Sequence, residues 1–459
     1  MPLVNDIHSG LNPTQVAAII RPSTCDEIVR VVRETAGPIS IAGGRHAMGG
    51  QQFGTNTTLL DLDGLDRIIA LDHQLGIVEV EAGIQWPALI AWLVDSGSGW
   101  GVRQKQTGAD RLSIGGALSA NIHGRGLALK PMVQDVESFD LIDAAGELRH
   151  CSRSVNNELF QLAIGGYGLF GVIVRIRLRL ARRQRLERLV EITSVDRLLE
   201  DFARRIADGC LYGDFQFMTD EASPLFMREG VLSCYRPLPG GGGDGPPARE
   251  LAADDWRRLY HLAHTDRAEL YRVYAGFYAS THGQRYWSDT HQLSIYLDGY
   301  HQELDRQLGA TLPGSEMISE LYVPRAALAD FCLAAREELR RRRTPVIYGT
   351  IRLIERDDES VLAWAREPWA CIIFNLCVRH DADGISAAAE AFRALIDCAA
   401  ACGGSYFPTY HRWASREQVE KCHPALVRFL RAKRRLDPAE RFQSDWYRHY
   451  RTMFAGFLS

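Results

Sequence analysis

The chain has 459 residues, 46% of them hydrophobic and 24% charged, with a formal net charge of −4 at pH 7. This length exceeds what one hydrophobic core organises, so two or more domains are expected. The mild acidity argues against a nucleic-acid partner, and no stretch approaches the roughly 18 consecutive apolar residues of a membrane span. Met1–Asp6 lacks a basic region followed by an apolar one, so no secretory signal is visible and a cytoplasmic location is expected. The ten cysteines form no Cys-x-x-Cys pair, which speaks against both a zinc site and a disulfide framework; no metal is expected.

The first part, 1–183, mixes short strands with helices. Ser23-Thr24-Cys25-Asp26 is a capping sequence ahead of Ile28, Val31 and Val32 at helical spacing, with Gly37 closing the helix. Ile39 to Ala42 is a short strand, followed by strands at Leu59 to Leu62 and Ile77 to Glu81, and by a helix from Trp86 to Val94 with Pro87 in its first turn. Val136 to Ile142 and Glu147 to Cys151 flank Asp143-Ala144-Ala145-Gly146 as a hairpin. In the closing strand, Val172, Val174, Ile176, Leu178 and Leu180 are expected on one face and Arg175, Arg177 and Arg179 on the other.

The middle part, 184–404, begins again with strands and helices. Its stretch from Pro237 to Pro247, four glycines at its centre, reads as a mobile loop. A helix follows Pro324 and ends in Arg340-Arg341-Arg342-Arg343, cations that complement a helix C-terminus. Strands at Val346 to Ile354 and Cys371 to Val378 precede a helix from Ser386 to Cys402. This order predicts an antiparallel sheet backed by helices, an α+β cap. The last part, 405–459, is aromatic and basic and is expected to return to the first.

Two glycine clusters carry the chemistry. The first, Gly43-Gly44-Arg45-His46-Ala47-Met48-Gly49-Gly50, follows a strand directly. Its glycines permit close backbone approach, and successive backbone N–H groups in such a turn form a nest for a diphosphate. His46 at its centre is a candidate nucleophile, or else a histidine that merely holds a turn. The second runs from Thr107-Gly108-Ala109-Asp110 through Ser113-Ile114-Gly115-Gly116 and Ser119 to His123-Gly124; its small residues leave room for a large cofactor. A third stretch, Gly166-Tyr167-Gly168-Leu169-Phe170-Gly171, satisfies the dinucleotide pattern but lies between a helix and a strand. The nicotinamide version needs the reverse order, because its phosphate sits at a helix N-terminus.

In order and spacing these elements, with the strand at Val172 and Ile173, resemble the FAD-binding domain of the vanillyl-alcohol oxidase superfamily, the PCMH type, over about 180 residues. The resemblance implies an α+β domain of two subdomains holding extended FAD, with Gly43 to Gly50, Thr107, Gly108, Asp110, Ser113, Gly116, Ser119, His123, Gly124 and Ile173 as cofactor contacts. It further implies FAD bonded covalently through His46; no cysteine lies between Thr107 and Val136 to make a second bond. Ser119-Ala120-Asn121-Ile122-His123-Gly124 is similar to the flavin-lining segment of aldonolactone and alditol oxidases, and the decaprenylphosphoryl-ribose oxidase and sterol-reductase branches share the layout. Where the former often read Glu-x-Arg, this chain reads Thr350-x-Arg352, which weighs against a polyol or lactone substrate.

A flavin performs the redox step while the protein orients the substrate and moves the proton. His411, Tyr348 and Arg352 are the candidate catalytic residues, with Glu320 and Lys433 behind them; each can also be read as a packed structural group. The expected activity is FAD-dependent oxidation of a CH–OH group on a small or medium organic substrate, with oxygen or another electron acceptor. Reduction of a carbon–carbon double bond and an electron-transfer subunit are the alternatives.

Overall fold

The structure, a computed structural model, describes residues 1–239, 249–295, 297 and 299–458. Residues 240–247 of the glycine- and proline-rich stretch lie outside the described residues.

The N-terminal part contains two small sheets. In the first, Ala18–Ile20, Thr58–Asp61 and Ile39–Ala42 run parallel, with Thr58–Asp61 in the centre. The helix Cys25–Glu34 is the crossover between its two outer strands. Thr24 caps it by accepting the Glu27 N–H, and Ile28 and Val32 are buried beside Ile39 and Leu60. The second sheet is antiparallel, in the order Leu148–Ser152, Val136–Ile142, Val172–Arg179, Ile77–Glu81, Ile68–Asp72.

Strand Val172–Arg179 departs from simple alternation. Its register against Val136–Ile142 slips between Ile173 and Arg175. Val172 and Val174 therefore pack into the core of the parallel sheet, whereas Ile173, Ile176 and Leu178 join the main core. One bulge lets a single strand serve both subdomains. As the sequence order requires, the helix Asn157–Ala163 comes before the Gly166–Gly171 stretch and this strand after it.

An eight-stranded sheet dominates the middle of the chain: Arg285–Trp287, Arg185–Ser194, Glu229–Pro237, Tyr212–Phe217, Val346–Ile354, Trp369–Arg379, Gly314–Pro324, Ser405–Tyr406. Every pairing in it is antiparallel. The register sets Gln216 opposite Thr350, and Ile373 opposite both Thr350 and Glu320. Asp214, Tyr348, Arg352, Asn375 and Glu316 share this face by alternation. The other set, including Leu321, Ile351, Ile372 and Phe374, is fully buried, and helices Leu328–Arg342 and Ala382–Ala401 pack on these strands. At the end of the first helix Arg340 donates to the carbonyls of Glu221 and Ser223.

The tail reaches back to the first sheet. Ile39 N–H donates to the Arg441 carbonyl at 2.7 Å, Gln443 N–H donates to the Ile39 carbonyl at 2.8 Å, and Trp446 packs on Tyr167. Lys433 and Asp437, both buried, form an ion pair inside this tail, and Asp437 accepts the N–H groups of Arg441 and Phe442. Among the described residues no helix is long and apolar enough to cross a membrane.

Candidate active site

A cavity of about 1120 Å³ lies between the two glycine clusters and the polar face of the large sheet. It exceeds the roughly 300–1,000 Å³ typical of one-ligand sites, which leaves room for a large cofactor with a substrate beside it.

One wall is backbone. Gly43, Gly44, Arg45, His46, Ala47 and Met48 line it, as do Thr107, Gly108, Ser113, Gly116, Ser119 and Ile173. A Cβ on Gly43 would fall 2.0 Å from Ser113 Oγ, and one on Gly44 would fall 2.2 Å from the Arg111 carbonyl oxygen. Only glycine allows the two clusters to close on each other. Arg45, itself at φ +56°, is held by an ion pair with Asp61 at 2.7 Å.

His46 follows Arg45 at the centre of the first loop. Its Nδ1 meets Nε2 of His8 at 2.6 Å, while its own Nε2 is buried without a hydrogen-bond partner. Burial, reinforced by His8, holds the His46 imidazole well below its ordinary value, so it stays neutral. His8 was not visible as a site residue in the sequence, since it stands alone in a short polar stretch far from the loop.

Several expected contacts are placed elsewhere. Gly49 and Gly50 are not on the cavity wall; Gly49 N–H donates to the Thr409 carbonyl at 3.0 Å, and Gly50 turns the chain at φ +75°. Asp110 pairs with the buried Lys105 at 2.5 Å and accepts the Ser294 N–H at 2.7 Å. His123 and Gly124 sit behind the wall. His123 Nδ1 donates to the Gly124 carbonyl, and its Nε2 meets Glu320 Oε1 at 2.6 Å. Glu320 also accepts from Tyr322 at 2.5 Å and from Tyr410 at 2.9 Å. Burial alone would raise the Glu320 carboxyl, but His123 and the two tyrosines outweigh it and hold it below its ordinary value. Ligand-type atoms of His123, Glu320 and Cys371 lie within 4.8 Å of one another. They are already engaged with each other, Cys371 Sγ donating to Glu320 at 3.4 Å.

The opposite wall is the sheet. Tyr348 and Arg352 line it together with Asp214, Gln216, Thr350, Asn375 and Glu316. Several buried polar atoms without partners lie here: Asp214 Oδ1, Gln216 Oε1, Thr350 Oγ1, Asn375 Oδ1, and both Nε and Nη1 of Arg352. Burial raises the Tyr348 phenol far above its ordinary value, which keeps it a neutral hydrogen-bond donor. His411 does not line the cavity. Its ring is packed against Phe392 and Trp413, and burial alone drives its imidazole well below the ordinary value. The expectation that His411 is catalytic therefore has no geometric support, and Lys433, bound to Asp437, is likewise a structural group.

The family model for the FAD binding domain matches residues 16–152. That stretch is an FAD-binding domain of the PCMH type, and FAD is its cofactor. Cytokinin dehydrogenase 5 of Arabidopsis thaliana is 25% identical over 232 residues, covering 48% of this chain and 39% of that protein. Cytokinin dehydrogenase 4 of Oryza sativa subsp. japonica is 24% identical over 226 residues, 46% of this chain and 39% of that protein. Decaprenylphosphoryl-beta-D-ribose oxidase of Mycolicibacterium smegmatis is 29% identical over 176 residues, 36% of this chain and 37% of that protein. The matched part thus spans about two fifths of these relatives' own length. The glycine-only contact between the two clusters fits the cofactor, as a cradle no side chain fills.

Proposed function

We propose that the chain is an FAD-dependent oxidoreductase that removes a hydride from a CH–OH group of a small or medium organic molecule, with FAD tethered through Nε2 of His46. The observation that carries this reading is the facing of two walls across one cavity: a backbone cradle on one side, and unpartnered buried polar groups on the sheet on the other. When bound, FAD supplies the hydride acceptor.

The chain's own groups supply the rest. The cross-strand register, continued by one pair, sets Asp214 opposite Arg352. Asp214 Oδ1 receives the hydroxyl proton as the hydride leaves. Arg352 Nη1 and the Tyr348 hydroxyl steady the oxygen as negative charge develops on it. Asp214 and Arg352 are almost fully buried, so the low-dielectric surroundings strengthen their contacts. Oxygen or another acceptor then takes the electrons.

The test is to precipitate the purified yellow protein with acid and then to titrate the native protein anaerobically with carbinols. Flavin that stays in the pellet, and is released in His46→Ala, supports the tether; flavin in the supernatant removes it. Bleaching of the visible spectrum by a carbinol supports the reaction. Absence of bleaching across hydroxy acids, sugars and alcohols, with reduction only by a separate donor, would refute it.

A further inference from the structure

Arg125, Arg188 and Arg352 are only 8%, 9% and 3% exposed, and all three line the cavity. Among the described residues none of them lies within ion-pair distance of a carboxylate; each of the salt bridges formed there uses other cations. Of the acidic groups on the sheet wall, Glu316 is engaged by His264 and Tyr300, which leaves Asp214 against three buried guanidinium groups, an excess of buried positive charge.

The partners the guanidinium groups do have are neutral. Arg188 donates twice to the Tyr235 hydroxyl, at 3.0 and 2.6 Å, and once to Thr281 Oγ1 at 3.0 Å. Its plane lies 4.5 Å from the ring centre of Tyr286. Arg125 donates to the His291 carbonyl at 2.6 Å and sits 4.8 Å from the Tyr235 ring centre, and its Nε has no partner. Taking a charge out of water costs several kcal/mol per ion unless a counter-charge meets it. Two guanidinium groups gathered around one tyrosine, with a donor left bare, are arranged to receive an oxyanion, whose planar or tetrahedral oxygens match their fork of N–H groups.

The two groups also stand apart from the cradle. Arg188 belongs to strand Arg185–Ser194 of the large sheet. Arg125 lies where the chain leaves the second glycine cluster and pairs with strand Tyr212–Phe217, its carbonyl accepting the Gly213 N–H at 2.8 Å. The backbone cradle of Gly43, Gly44 and Ser113 suits the diphosphate of FAD, and neither arginine belongs to it.

We infer that Arg125 and Arg188 form a subsite for an oxyanion group, carboxylate or phosphate, carried by the substrate beyond its reacting carbinol. This rests on the carbinol-oxidation reading above and narrows it to anionic carbinols.

The experiment uses the FAD-loaded full chain. Inorganic phosphate and acetate are titrated against it by calorimetry, then glycerol 3-phosphate is compared with glycerol. One saturable site is expected, with whichever anion binds more tightly naming the headgroup, and glycerol 3-phosphate binding at least tenfold more tightly than glycerol. Arg125→Gln and Arg188→Gln should each weaken the anion roughly ten- to a hundredfold, the range of one charged hydrogen bond. If either variant fails to retain flavin, Arg188→Lys, which keeps the charge and loses the fork, should still weaken phosphate. No saturable binding to the FAD-loaded protein, binding only after FAD is removed, or equal binding of glycerol and its phosphate overturns the subsite. Anion binding without bleaching by any carbinol would keep the subsite and remove the proposed reaction. Equal bleaching by neutral and anionic carbinols would do the reverse.

Discussion

His264 ties the helix Ala253–Thr265 to the cavity wall, its Nε2 3.1 Å from Glu316 Oε1. Glu316 is buried and also accepts from Tyr300 and from Asn375. Burial pulls the His264 imidazole down, but Cys377 and Glu316 outweigh it and bring the group from 6.5 up to about 9. The folded state therefore binds this proton more tightly than the unfolded chain does. The resulting stability is fully present below the unfolded value of 6.5 and is lost as pH rises through about 9. The difference between those two values corresponds to about 3 kcal/mol. With only 12% of the side chain exposed, solvent screens little of it. The assay is urea denaturation of the wild type and of His264→Gln at about pH 6 and about pH 9.5, because groups common to both proteins cancel in the difference. The wild type should exceed the variant by about 3 kcal/mol more at the lower pH than at the higher. A gap that does not change with pH would refute the charged pair and reduce His264 to a packing residue.

Three further outcomes are expected. Gly44→Ala places a methyl group 2.2 Å from the Arg111 carbonyl; forcing the backbone apart should cost roughly 1–3 kcal/mol and lower the flavin-to-protein absorbance ratio of the purified protein. Glu320→Ala strips the partner from His123, Tyr322 and Tyr410 at once, so its stability should fall by about 3–5 kcal/mol in denaturation, with Glu320→Gln intermediate. Asp214→Asn should keep its flavin and its melting temperature but bleach roughly 10²- to 10⁴-fold more slowly with an active carbinol. A variant that bleaches at the wild-type rate would exclude Asp214 as the proton acceptor.

The glycine-rich wall of the cavity was legible in part, because it is local, although Gly49, Gly50, Asp110, His123 and Gly124 lie off it. Two glycine clusters, each continuous in sequence, make a wall out of backbone, and backbone approach depends on residue type more than on distant partners. The sheet half was legible only in part: Tyr348 and Arg352 stand out in the sequence and line that wall, but Asp214 and Gln216 do not stand out. Strand Tyr212–Phe217 is buried along its whole length, so Asp214 and Gln216 stand in no polar-apolar alternation that would single them out. Their meaning comes from pairing with Val346–Ile354, more than a hundred residues later. His411 misled for the opposite reason. It stands in an aromatic, basic stretch of the kind that often borders a ligand, yet its neighbours Phe392 and Trp413 enclose it. In Val172–Arg179 the alternation was real, but the bulge after Ile173 reassigned its first residues to another core.

The distribution of unpartnered atoms argues for where the chemistry lies. A buried donor or acceptor without a partner costs about 1–3 kcal/mol, so native proteins keep few of them. Here Asp214, Gln216, Thr350, Arg352 and Asn375 each keep one or more, and they occupy three adjacent strands on the same face. Packing alone would replace them with apolar residues like the fully buried Ile351, Ile372 and Phe374 on the reverse face. The deeper Glu320 cluster makes the contrast from the other direction: its carboxylate accepts from His123, Tyr322 and Tyr410 and is complete without a ligand. An unpartnered set on the wall beside a complete carboxylate cluster behind it is what the proposed substrate site requires.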